Sequence, residues 1–160
     1  MIHEDLLVMF RHSVCCCLLL LCCLWLSPAA VANNGAVKLR ETTTGTEASF
    51  RGAAVAGENE AWVTGSKGTV MRTVDAGKNW KRISVPRSAE LDFRDVEISL
   101  AGAVLLMAAG PGKASKVLRS VDAGNSWELV LQNLNPKGFF DGMDFDDTGK
   151  HGVLYGDPIN

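Results

Sequence analysis

Apolar residues recur at nearly every second position in short runs, and turn-forming residues separate the runs. Phe50, Ala53 and Val55 open the first run, and Gly57-Glu58-Asn59 closes it. Ala61-Trp62-Val63 follows, ended by Gly65-Ser66-Lys67-Gly68, and then Thr69 to Thr73 and Trp80 to Ser84. A period of two bounded by Gly, Asn and Asp predicts half-buried β-strands joined by tight turns. The order repeats with Phe93, Val96 and Ile98, then Val104 to Ala108, Lys116 to Ser120, and Trp127 to Leu131. It begins a third time with Phe140, Met143 and Phe145, a turn at Asp146 to Lys150, and Gly152 to Gly156. The pattern predicts an all-β chain of four-stranded antiparallel units, at about 49–84, 92–132 and 139–160.

Within each complete unit one phrase recurs. Thr73 to Trp80 reads TVDAGKNW, and Ser120 to Trp127 reads SVDAGNSW, starting 47 residues later. A self-similar period in this range marks a repeat architecture. The phrase has the chemistry of a closed turn. Asp75 and Asp122 can accept backbone N–H groups a few residues on. Gly77 and Gly124 can take positive φ without steric cost. The hydroxyls of Thr73 and Ser120 can tie the two arms together. Trp80 and Trp127 start the next strand with a large apolar ring. None of these roles needs a substrate.

The phrase resembles the Asp-box, or BNR repeat, of β-propeller proteins such as sialidases. The longer run FRGAAVAGENEAWVTGSKGTVMRTVDAGKNW resembles the photosystem II assembly and stability factor (Ycf48-like) branch of these propellers, which includes secreted bacterial proteins without photosynthesis. The resemblance covers roughly residues 48–160 and implies a β-propeller of four-stranded antiparallel blades, with about two and a half blades present. A propeller closes with about 4–8 blades, and repeat units bury their faces only against neighbours. The expectation is therefore a fragment of a longer protein, or a half-propeller that assembles with other chains. In either case the remaining blades count among its partners.

Residues 1–32 read as an export signal. Arg11 and His12 precede the apolar run Val14 to Leu26, Pro28 breaks it, and Ala30-Val31-Ala32 supplies a small-x-small cleavage pattern. Thirteen residues are too few for the ~20 of a spanning helix, so no transmembrane span is expected after cleavage. Initiation at Met9 would remove the awkward Glu4 and Asp5 from the segment ahead of that run. Residues 33–47 read as a linker or a first edge strand. All five cysteines lie between Cys15 and Cys23, so nothing after residue 32 can form a disulfide framework or a thiolate metal site. Without the signal the net charge is −1, which gives no electrostatic reason to expect a nucleic-acid partner. The localisation expected is exported, periplasmic or secreted, or the thylakoid lumen in a photosynthetic host.

Other constellations reduce to structural readings. Asp141, Asp144, Asp146 and Asp147 lack the alternation of a calcium loop and read as a solvated hairpin turn. Gly110-Pro111-Gly112-Lys113 lacks the four-residue gap and the Ser or Thr of a phosphate loop, and reads as a hairpin turn. His3, His12 and His151 form no set. Trp62, Trp80 and Trp127 read as core rather than as a sugar-stacking platform. Arg51, Arg72, Arg94 and Arg119 recur at matched positions and could build a basic stripe across blades; the resemblance implies an arginine-rich surface that holds a membrane-protein client. A sialidase site needs an arginine cluster and a Tyr nucleophile, and Tyr155 is the sole Tyr.

The function expected is a non-catalytic scaffold that binds a protein partner, with no cofactor, no metal and no catalytic residue among those present. The alternative is a propeller glycoside hydrolase, sialidase-like or xyloglucanase-like, whose catalytic groups lie mostly beyond Asn160. That chemistry needs two carboxylates flanking one sugar site, and the sequence offers no such pair.

Overall fold

The alternation of apolar and polar side chains resolves into antiparallel sheets in the computed structural model, which describes residues 40–157. These belong to the unit Leu39–Asn160. The expected export signal at 1–32, and the first part of the expected linker, lie outside the described residues.

The first sheet runs β1 (Phe50–Ala56), β2 (Glu60–Gly65), β3 (Thr69–Thr73) and β4 (Lys81–Arg82), in that spatial order. The second repeats it with β5 (Asp92–Ile98), β6 (Val104–Ala109), β7 (Lys116–Ser120) and β8 (Glu128–Gln132). The third holds β9 (Phe140–Phe145) and β10 (Gly152–Gly156). All pairings are antiparallel. Each four-stranded sheet is thus a meander with its leading strand at one edge, and the leading strands β1, β5 and β9 lie side by side. This is the blade arrangement of a propeller, present here in part.

The core lies between sheets, as expected of units that cannot bury their faces alone. β6 is buried along its whole length because it serves two interfaces. Val104, Leu106 and Ala108 face the first sheet and pack with Trp62, Val70, Ile83 and Phe93. Leu105 and Met107 face the third and pack with Val117 and Met143. Full burial of a Leu, Val or Phe side chain contributes about 1.5–3 kcal/mol, and Phe93, Leu106 and Val70 are each 0% exposed.

Two features differ from the sequence expectation. The strand expected at Trp80 to Ser84 shrinks to Lys81–Arg82. After one further ladder bond, from Ile83 N–H to Val70 O at 2.9 Å, the chain reaches Pro86, which has no N–H to donate. Ile83 and Val85 meanwhile turn into the inter-sheet core. Phe50 and Val55 were expected to match the core positions Phe93 and Ile98. They are 40% and 75% exposed, because no sheet among the described residues precedes the first one.

Candidate functional site

The repeated phrase closes the turn between the third and fourth strands of each complete sheet. In the first copy, the buried Thr73 hydroxyl donates to Asp75 Oδ1 at 2.7 Å and accepts the Gly77 N–H at 3.0 Å. Asp75 then accepts the Asn79 N–H at 2.9 Å and its side-chain amide at 2.7 Å. In the second copy, Ser120 donates to Asp122 Oδ1 at 2.8 Å and accepts the Gly124 N–H at 2.8 Å. Asp122 accepts the Ser126 N–H at 2.8 Å and its hydroxyl at 2.6 Å. The donors converge on the charged form of each carboxylate. The Asn79 backbone and side chain, then Thr73, draw Asp75 down to about 2. The Ser126 hydroxyl and N–H, then Ser120, do the same for Asp122, also to about 2. Both carboxylates are ionised, saturated turn staples, ill suited to exchange protons with a substrate near neutral pH.

Sequence reasoning missed one feature of these turns. Ala76 and Ala123 both sit at φ +57°, beside Gly77 at +77° and Gly124 at +86°. Two successive left-handed residues make the bend, so an L-residue shares a conformation that was expected of glycine alone. The two glycines differ in surroundings. A methyl group built on Gly124 would lie 2.7 Å from Ile83 Cγ2 and 3.0 Å from Trp62 Cη2 of the first sheet, whereas on Gly77 it would meet nothing closer than 3.7 Å. Gly77 is instead flanked by the segment before β1: Arg40 Nη2 donates to Ala76 O at 2.6 Å and Thr42 Oγ1 to Gly77 O at 2.7 Å.

The four arginines fall into distinct settings. Register shifts place a bulge at Arg51 in β1 and at Arg94 in β5, each just after the leading Phe. Bulges re-aim the side chain they carry. Both arginines converge on Asp92, at 2.8 Å from Arg51 and 3.3 Å from Arg94, and the Arg94 guanidinium also lies 5.1 Å from the Phe139 ring centre. Each bulged arginine therefore reaches the residue before the next sheet's leading Phe. Arg72 pairs with Glu60 at 2.8 Å and stacks over Trp62 at 5.4 Å; that pairing holds the Glu60 carboxyl below its ordinary range. Arg119 is exposed on β7, in register with Glu128. Arg51 and Arg94 come together, and Arg72 and Arg119 stand apart on the third strands.

The remaining candidates resolve locally. Trp62 is 0% exposed; Trp127 packs against the same core while partly buried, and Trp80 is half-buried. Asp146 accepts from Thr148 Oγ1, the Lys150 N–H and His151, whose Nδ1 lies 3.0 Å away. Thr148 first, then His151, pulls the Asp146 carboxyl far below its usual range. Among the described residues no group of His, Cys, Asp and Glu is placed to hold a metal ion. Residues Gly112–Ala114 form a short 3-10 turn rather than a simple hairpin. There the buried Ser115 hydroxyl donates to Gly110 O at 2.6 Å and accepts the Phe140 N–H at 3.0 Å, tying the second sheet to the third. Asp95 makes a similar tie by accepting the Met143 N–H at 2.9 Å. Neither residue carries a pattern that sequence reading can recognise, because each partner lies in another repeat.

A cleft of about 520 Å³ opens between the first two sheets near the second repeated turn. Its walls include Val55, Ile98, Leu100 and the Arg72–Glu60 pair, and among the described residues Glu60 is the one carboxylate lining it.

Similarity to known proteins agrees with this geometry. Among solved structures the chain is similar to one described as YCF48 bound to D1 peptide, at 17% identity and a TM-score of 0.50, covering 69% of this chain and 40% of that one. It is also similar to YCF48 from Cyanidioschyzon merolae, at 18% identity and a TM-score of 0.49, covering 72% and 39%. A weaker likeness is to the GH74 enzyme of Niastella koreensis, at 18% identity and a TM-score of 0.41, covering 58% and 15%. The chain thus spans about 40% of the length of the first of these. No curated protein sequence matches it. The profile of the family described as Photosynthesis system II assembly factor YCF48 matches residues 31–141. With that match over most of its length, the chain belongs to the photosystem II assembly factor YCF48 family of BNR-repeat β-propellers.

Proposed function

We propose that the protein is a non-catalytic, exported scaffold that holds a segment of another protein, similar to the photosystem II assembly and stability factors. The observation that carries this reading is the saturation of Asp75 and Asp122 by donors of their own turns. Both carboxylates are committed to turn closure rather than to a substrate. The D1 peptide bound to the YCF48 structure supports a protein as the partner. The signal-like segment 1–32 supports export to the periplasm, the exterior or a thylakoid lumen. No helix among the described residues is long and apolar enough to cross a membrane. Further blades, from the same protein or from another chain, complete the propeller in this reading.

The test is titration of the full-length protein with a D1 peptide by calorimetry, alongside assays on aryl-sialosides and xyloglucan. Saturable peptide binding without hydrolysis is expected. Turnover of either glycoside would overturn the scaffold reading.

A further inference from the structure

The outer strands of the two complete sheets differ at matched positions. In the first sheet β4 holds only Lys81 and Arg82, with Arg82 opposite Met71. In the second sheet Leu129 stands in that place, opposite Leu118. β8 is five residues long and exposes Leu129, Val130 and Leu131 at 50%, 44% and 45%. No strand pairs with its outer edge among the described residues. Proteins protect such edges with short strands, lysines or bulges. The first sheet has the short strand and the charges. The second has only a bulge, at Val130, where the register slips against Val117 and Leu118.

Beside this edge, on the sheet face formed by β7 and β8, lies a groove of about 260 Å³ against the connection that leads into β5. Leu91, Leu118, Trp127 and Leu129 give it an apolar lining, Pro86 closes one side, and Arg87 and Lys116 supply positive charge. Neither cation has an acidic partner among the described residues. All of its walls belong to the two complete sheets and their connection. An unpaired edge, an apolar lining and two uncompensated cations are complementary to an extended strand carrying alternate apolar and acidic side chains.

We propose that β8 receives an extended, acidic segment of the partner protein as a fifth strand of the second sheet. Main-chain hydrogen bonds form along the outer edge. Apolar side chains of the segment pack on Leu129 and Trp127, and its carboxylates sit between Arg87 and Lys116. This deepens the scaffold reading and rests on it, since it names the surface that does the holding.

The experiment titrates the full-length protein with a short synthetic peptide of alternating Glu and Val, and follows amide hydrogen exchange. Protection is expected at Glu128 to Gln132. Leu129→Lys and the pair Arg87→Glu with Lys116→Glu should each weaken binding by about tenfold or more. Leu129 is half-exposed, so its replacement should leave the fold intact, which circular dichroism checks. A Lys-for-Glu peptide, and one N-methylated at alternate residues, should not bind. Protection elsewhere, affinity unchanged in both variants, or a sedimentation shift showing β8 covered by a second copy would each overturn the proposal. If the D1 peptide or a membrane client still bound saturably to the Leu129→Lys protein, the β8 site would fall and the scaffold reading would stand. If the wild-type protein bound no partner segment at all, both would fall.

Discussion

Replacing Gly77 and Gly124 separately by alanine asks one question of two turns that share the Val-Asp-Ala-Gly phrase and differ in what packs against the glycine. Both glycines hold positive φ, +77° and +86°. Left-handed backbone costs an L-residue about 1–2 kcal/mol, offset by about 0.4–1 kcal/mol from the stiffer unfolded chain. The conformational cost of either change is therefore about 1 kcal/mol. At Gly77 that is the whole effect, since the new methyl group meets nothing closer than 3.7 Å. At Gly124 the methyl group lands 2.7 Å from Ile83 Cγ2 and 3.0 Å from Trp62 Cη2. Ile83 and Trp62 are 8% and 0% exposed and have little room to give way. Overpacking of this kind adds about 1–3 kcal/mol. Urea unfolding followed by Trp fluorescence should thus place Gly124→Ala about 1–3 kcal/mol below Gly77→Ala. Equal losses for the two variants would refute the claim that the second turn is wedged against the preceding sheet.

Four further outcomes follow from the same geometry. Ser120→Ala leaves the Gly124 N–H without its 2.8 Å acceptor and should cost about 1–3 kcal/mol by chemical denaturation. Leu106→Ala, at a position 0% exposed between the sheets, should cost about 2–5 kcal/mol in the same assay. Asp75 and Asp122 titrate near 2 in the folded state, below the roughly 3.9 of an unfolded Asp. Their contribution is therefore present above about pH 4 and lost as pH falls toward 2, an acid loss that should diminish in Asp75→Asn and Asp122→Asn. Asp92→Asn strips both Arg51 and Arg94 of a partner, yet these side chains are 42% and 38% exposed, so the cost should stay at about 1 kcal/mol or less.

Much of the fold is legible along the chain because its turn chemistry is local. Hydroxyl, Asp and Gly at fixed offsets place both closures, and the third strands Thr69–Thr73 and Lys116–Ser120 fall where the alternation puts them. What is not legible depends on partners from another repeat. β4 stops early because Ile83 and Val85 are drawn into a core built with the second sheet. Phe50 and Val55 carry the alternation of core residues, but burial is conferred by a neighbouring sheet. The arginines show the same division. Their recurrence is visible in the sequence, whereas the convergence of Arg51 and Arg94 on Asp92 needs a bulge in each leading strand and the approach of β1 to β5. Ser115 and Asp95 bridge the second and third sheets through single hydrogen bonds to backbone N–H groups. A lone Ser or Asp in a sequence gives no sign of such a role.

In the proposed function the repeated turns hold a rigid surface for a protein partner and perform no bond chemistry themselves. Calorimetric titration of the full-length protein with a D1 peptide tests it most directly, comparing the wild type with Asp75→Asn and Asp122→Asn under conditions where all three stay folded. Saturable binding of similar affinity is expected in all three, with the variants less stable to urea. Absence of binding to the wild type, or binding lost in variants that remain folded, would contradict it.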